Sequence, residues 1–415
     1  MTEALRIALA FLALALILAL APFVLNSGTA ITMMSIMGLM IIFALSYNML
    51  LGQTGLLSFG HAVYYGLAGF TAAHAMNYIA ANKLAVSLPL VPIVGAAAGL
   101  FFGFIFGLVS TRRAGTVFSM ISLGLGELVA AYAGIQRSFF GGEDGIATNR
   151  VKLAPFLGYK FGPQIQVYYL IAVWCFICVA LMYALTRTPF GRMCNAVRDN
   201  PERAEFVGYS TQRVRFIAFV LSATFSGVAG ALAAINFELM NSQAIGAATS
   251  GQVLLMTFVG GIGHFAGPII GAILITFLQI SLSDVTKAWM LYFGLLFILV
   301  VMFAPGGIAG ILAAHAPLLR GGRILKLVPA YALAAIPLAA ALIGGIALVE
   351  LAHHMLVEAA SDGSKMHLFR IAIDGASLVP WAAALALFFG GAFGLRAVWP
   401  RIGDAWALAE AEGRK

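Results

Sequence analysis

Apolar stretches about twenty residues long recur from one end of this chain to the other, and they match the thickness of a bilayer's hydrocarbon core. They fall at 5–25, 30–50, 56–76, 88–110, 114–135, 166–186, 216–236, 251–262, 266–281, 288–305, 328–350 and 378–396. Of the 415 residues, 62% are hydrophobic and only 10% charged, more apolar surface than a soluble domain of this length can hide. The expected fold is therefore an all-α polytopic membrane protein. Because the two stretches between 251 and 281 are short and broken by glycine, the expectation is roughly 10–12 transmembrane helices.

Basic residues set the expected orientation. With the N-terminus inside, one face holds Arg6, Arg112, Arg113, the six arginines between 187 and 215, Arg320, Arg323, Lys326, Arg396, Arg401, Arg414 and Lys415. The other holds Lys83, Arg137, Arg150, Lys152, Lys160, Lys287, Lys365 and Arg370. This two-to-one bias places both termini in the cytoplasm by the positive-inside rule. The net charge of +8 is thus a topology signal, and no basic stretch with interleaved aromatics points to nucleic acid. Residues 1–25 resemble a signal peptide in outline, but with so many later spans a retained first helix is expected. Three cysteines make no disulfide framework, and Cys175 and Cys178 share one helix face inside a span as small buried hydrophobes.

One segment breaks the apolar pattern. Residues 187–215, RTPFGRMCNAVRDNPERAEFVGYSTQRVR, carry six arginines and three acids, Asp199, Glu202 and Glu205. Pro189 and Gly191 are expected to stop the preceding helix. Asn200-Pro201 then marks a turn into a short helix over about 201–207, with acids in its first turns and Gly208 at its end. Such a helix on the membrane face suits a groove on a soluble partner; it is equally compatible with a plain surface loop.

Two spans are interrupted. NMLLGQTGLLSFGHAVYYGLAGF (48–70) and MTFVGGIGHFAGPIIGAI (256–273) each combine apolar flanks, a glycine-rich break and one histidine. Paired broken segments are the sequence pointer to a pseudo-symmetric transport path; close helix packing through small residues is the other reading. Gly95, Gly99, Gly103 and Gly107 give a repeated small face that predicts one tight helix contact. The 136–165 loop carries GGEDGIATN, flexible turn chemistry in which Glu143 and Asp144 meet either solvent or a partner. Beyond Pro305-Gly306-Gly307 the character changes: a basic linker, a span, a polar segment at 350–377 and a last span. The expected division is a core at 1–315 and an extension at 316–415 with two further spans. His353, His354 and His367, near Glu350, Glu358, Asp362 and Asp374, match no metal-ligand spacing, so no metal is expected.

Four stretches resemble one family. RAEFVGYSTQRVRFIAFVLSATFSGVAGAL (203–232) is similar to the cytoplasmic loop and following helix of branched-chain amino-acid ABC-importer permeases. LGQTGLLSFGHAVYYGLAGFTAA (51–73), GGIGHFAGPIIGA (260–272) and FAPGGIAGIL (303–312) resemble that family's first signature, second signature and ending, in the right order. The order and the EDG-type loop resemble the M-type subunit. The resemblance implies an inner-membrane permease of a bacterial ATP-driven importer. Its partners would be a sister permease, two cytoplasmic ATPases that use ATP and Mg, and an extracytoplasmic solute-binding protein. Arg198, Asp199, Asn200, Pro201, Glu202, Ala204, Glu205 and Gly208 would then contact the ATPase. No GxxxxGK[ST] phosphate loop occurs, which fits a permease that borrows its motor, with no cofactor or catalytic residue of its own.

The expected mechanism is alternating access, with a path past Gln53, Gly55, Ser58, Gly60, His61, Gly261, Gly263 and His264. Leucine-type amino acids are the implied solutes; urea, short amides and aromatic acids are moved by look-alike permeases. An ion-coupled secondary transporter would need intramembrane carboxylates, and before residue 316 only Glu127 lies inside a span. A membrane enzyme would need clustered titratable groups at one depth, and none is present in the pattern.

Overall fold

The computed structural model describes residues 3–320, 323–369 and 371–411. Arg370, Arg414 and Lys415 of the sidedness tally lie outside the described residues, as do the side chains of Arg320 and Asp362. The chain folds into α1 Glu3–Val24, α2 Gly28–Thr54, α3 Ala62–Ala81, α4 Val91–Ser110, α5 Thr116–Ile135, α6 Arg137–Phe140, α7 Gln164–Arg187, α8 Pro189–Asp199 and α9 Pro201–Phe206. It continues through α10 Thr211–Phe237, α11 Ala247–Gly260, α12 Gly267–Ser283, α13 Trp289–Phe303, α14 Gly307–Arg320, α15 Val328–His353, α16 Ala359–Asp362 and α17 Leu378–Ala411. The described sheet is limited to two antiparallel pairs, β1 Ile146–Ala147 with β2 Leu239–Met240, and β3 Lys365–Leu368 with β4 Ile371–Asp374.

Eight of the described helices are long and apolar enough to cross a membrane, nine when Trp289–Phe303 and Gly307–Leu319, bent by 45°, count as one broken span. The expected total of 10–12 included four weaker stretches. Of these, 56–76 becomes α3, preceded by a non-helical 55–61; 251–262 and 266–281 become the short helices α11 and α12; 288–305 becomes α13, the first half of the bent pair. The chain is an all-α polytopic membrane protein.

It divides into two compact units. The first comprises Met1–Ser281 with Phe297–Gly310, the second Leu282–Leu296 with Ile311–Lys415. In the first unit α10 is the central helix, packed against α2, α3 and α4. The glycine ladder of α4 explains how the backbones come so close. Gly95 lies over Gly227, Gly99 over Ala223 and Gly227, Gly103 over the Ala223 methyl and Gly107 over Phe219. Without a hydrophobic drive between helices in lipid, such close van der Waals contact is what holds them together. At the surface, α1 is anchored where Tyr168 donates to the Leu18 carbonyl at 2.7 Å. In the second unit α15 and α17 pack through Gly344 against Ala384 and Phe388, and through Gly391 against Pro337 and Ala341.

Candidate functional site

The charged island is a folded helix pair. Its first half differs from the sequence expectation: α7 does end at Arg187, but Pro189 and Gly191 begin a new helix. Thr188 is the N-cap, its hydroxyl oxygen accepting from the Gly191 amide at 3.2 Å, and Pro189 takes the first position, where a missing N–H costs nothing. The Asn200 side chain caps α9 by accepting from the Arg203 amide at 2.9 Å. Cys194 and Val197 of α8, Ala204 of α9, and Val214 and Ala218 of α10 form a shared apolar core. Burial pushes the Cys194 thiol up to about 12, so it behaves as a hydrophobe. Thr211 donates to Glu205 at 2.7 Å, tying α9 to the start of α10. Gly208, at φ +92°, makes the turn between them, a conformation that residues with a Cβ rarely adopt.

Of the eight island candidates, Ala204 is buried; Arg198, Asp199, Asn200, Pro201, Glu202, Glu205 and Gly208 are exposed. Phe206 and Val207, absent from that set, are 90% and 71% exposed at the tip of α9. Arg198 turns back toward the bundle. It pairs with Asp199 at 2.8 Å and donates to the Gly52 carbonyl in the last turn of α2, where the first broken segment begins.

The first break folds back along α2. Tyr47 donates to the Ser58 carbonyl at 3.0 Å, and His61 Nε2 lies 3.0 Å from the Ser46 hydroxyl. The His61 ring is boxed by Phe43, Tyr47 and Tyr64. Ser58, Gly60 and His61 are buried, Gln53 is half-buried and Gly55 exposed. The second break is a glycine corner. Gly261, at φ +112°, is buried against Gly306 and Gly307, whereas Gly263 and His264 are exposed. The breaks meet at one point, where a Cβ on Gly52 would stand 2.9 Å from the Ile262 carbonyl oxygen. The two histidines thus have different surroundings, one packed among rings and one in the open.

A cavity of about 410 Å³ lies elsewhere in this unit, lined by Met40, Tyr65, Phe237, Gln243, Thr249 and Gln252 among others. None of its lining residues is charged. Gln252 is hydrogen-bonded to Gln279. Sequence reasoning missed this cavity because its walls come from segments far apart in the chain; Thr249 and Gln252, one helical turn apart in α11, were the available signal.

At the end of α10 opposite the island, the 136–165 loop is more ordered than its glycines suggest. β1 pairs with β2, and Asn77 donates to the Ala147 carbonyl at 2.9 Å. Arg150, read only as a loop charge, is buried. Its guanidinium donates to the carbonyls of Phe161 (2.9 Å), Gly162 (3.0 Å), Ile235 (3.3 Å) and Asn236 (3.4 Å), and to Gln164 Oε1 (3.3 Å). It thereby caps α10 and pins the loop. Replacing Arg150 with Met should strip these acceptors of their donor and cost about 2–4 kcal/mol. A lysine, a point charge without the planar fork, should restore only part of it. Thermal unfolding in detergent, with proteolysis at 141–160, measures both.

In the second unit, His354 Nδ1 lies 3.2 Å from Glu358 and its Nε2 2.9 Å from the Gly363 carbonyl, while Lys287 pairs with Glu358 at 3.0 Å. Tyr292 donates to Glu350 at 2.8 Å. These contacts account for His354, Glu358 and Glu350, and no group of His, Cys, Asp or Glu with metal-binding geometry occurs among the described residues.

Compared with known families, residues 29–305 match the one described as "Branched-chain amino acid transport system / permease component". The chain belongs to this permease family. A similar protein is the high-affinity branched-chain amino acid transport system permease protein LivM of Escherichia coli (strain K12), 28% identical over 72% of this chain and 74% of that protein. Another is the permease protein BraD of Pseudomonas aeruginosa, 25% identical over 64% of this chain and 90% of its own. The autoinducer 2 import system permease protein LsrC of Yersinia enterocolitica is 28% identical over 51% of this chain and 56% of its own. No solved structure matches. The relatives' names are those of transport permeases rather than enzymes, and this family member is a multi-pass membrane protein. Residues beyond 305 lie outside the family match.

Proposed function

We propose that this chain is a permease subunit of an ATP-driven importer for branched-chain amino acids or similarly small solutes, working in the bacterial inner membrane with both termini cytoplasmic. It works beside a sister permease, with two cytoplasmic ATPases as its motor and an extracytoplasmic binding protein delivering the solute. The observation that carries this reading is Arg198. One side chain links an exposed helix pair to the Gly52 carbonyl at the start of a broken membrane segment. A push on the island, whose exposed Phe206 and Val207 offer an ATPase an apolar hold, is thereby delivered to backbone at membrane depth.

The uncharged cavity at Met40, Tyr65, Phe237 and Gln252 supports an aliphatic side chain met there by weak, neutral contacts. Vesicles holding the assembled transporter and loaded with ATP should take up leucine when the binding protein is added. Uptake that persists without ATP and without the ATPase subunits overturns this function. The ligand carried by the partner binding protein separates leucine-type amino acids from urea, amides and aromatic acids.

A further inference from the structure

Glu127 is the one charged side chain lying more than two turns from the end of any apolar helix between residues 28 and 305. It is the twelfth of the twenty residues of α5, roughly 17 Å along a helix about 30 Å long, hence near mid-membrane. Helical spacing puts it on the side away from the bundle. Phe118, Ser122, Val129 and Ala133 form the buried face, whereas Met120, Gly124, Glu127 and Ala131 are exposed on the other. Glu127 makes no hydrogen bond or ion pair among the described residues.

Hydrocarbon is an expensive place for a carboxylate, and intramembrane acids therefore face protein or water. The opposite side of α5 shows which neighbourhood this is. The Phe59 amide donates to Ser122 at 3.0 Å, and a Cβ on Gly126 would stand 3.2 Å from the Gly60 Cα. Glu127 thus sits one residue from the point where α5 leans on the first broken segment. No charged side chain lines the neutral cavity, and no other acid lies within the spans before residue 305 to meet a cation in transit. We propose that the Glu127 face of α5 borders the water-filled solute path, and that Glu127 receives the ammonium group of an amino-acid solute at mid-membrane. This rests on the permease function and adds to it a residue and a chemical group.

The test uses the assembled transporter in vesicles. Cys175, Cys178 and Cys194 are buried, so an introduced thiol is read against a low background. Cysteine at Glu127 or Gly124 should react with a cationic, membrane-impermeant methanethiosulfonate, and leucine should slow the reaction at position 127 several-fold; cysteine at Leu12 of α1 should not react. Glu127→Gln should lower leucine uptake at least tenfold, and Glu127→Asp should recover most of it, at equal amounts of recovered complex. A Glu127→Cys thiol that reacts only with a lipid-soluble maleimide, or Glu127→Gln importing leucine at the wild-type rate, overturns the proposal. Failure of the wild-type vesicles to import with ATP counts instead against the permease function, and the labelling pattern still decides whether Glu127 faces water.

Discussion

Gly230→Val should leave little folded protein in the membrane. Gly230 sits where α10 crosses α3, and a Cβ there would fall on the Tyr65 carbonyl oxygen, 2.8 Å from its carbon and 3.1 Å from the Gly69 amide nitrogen. The atoms in the way are backbone, so no rotamer change relieves the clash. Nor is α3 free to withdraw, because Gly66 on the same helix is already seated against Ala244 and Ile245, and Gly69 against Met240. Overpacking a well-filled site costs about 1–3 kcal/mol where side chains can yield. Here two helices and the segment behind them must move together, and the upper end of that range or more is expected. Gly294→Ala in α13 is the matched control: a Cβ meets nothing within 4 Å, and alanine is the better helix former. Monodisperse protein recovered in detergent, and its thermal midpoint, should fall sharply for Gly230→Val and stay level for Gly294→Ala. Equal stability of the two would show that α3 and α10 are not packed in this way.

The features legible in the sequence were those with a period or a hard physical limit behind them. Hydrocarbon thickness fixed the long spans, and the four-residue spacing of Gly95, Gly99, Gly103 and Gly107 announced the face that meets α10. Local signals with two meanings were less secure. Pro189 and Gly191 read as a helix stop, yet proline is as much at home in a first turn, and Thr188 supplies the cap that makes it one. Asn200-Pro201 had one meaning, a turn into a capped helix, and that is what it forms.

Sites were harder than elements because burial is a tertiary property. His61 and His264 stand in similar glycine-rich contexts, but one is enclosed by three rings and the other is exposed. Arg150 carries no local mark of burial, since its acceptors come from residues 161–164 and from the end of α10. The neutral cavity is likewise invisible to any window along the chain, its walls running from Met40 to Gln252.

Arg198→Ala should separate ATP hydrolysis from transport. The side chain bridges the island to α2 by donating to the Gly52 carbonyl, and its Cγ would lie 3.1 Å from a Cβ on Gly55, so it also covers the turn that opens the first break. Alanine removes both the donor and the cover while leaving the apolar core of Cys194, Val197 and Ala204 intact. The ATPases would then still dock and turn over, but their stroke would reach a helix pair with no hold on the broken segment. Leucine uptake per ATP hydrolysed in vesicles should drop by at least about tenfold, the scale on which a misplaced positioning group acts. Arg198→Lys keeps the charge without the fork and should fall between. Losing the Arg198–Asp199 pair by Asp199→Asn should itself contribute only about 0–1 kcal/mol, because the pair is exposed, so a larger loss of coupling in that variant reports the ATPase contact implied for Asp199. If Arg198→Ala imports leucine at wild-type cost in ATP, the island transmits by some other contact, and the bridge to Gly52 is only a helix cap.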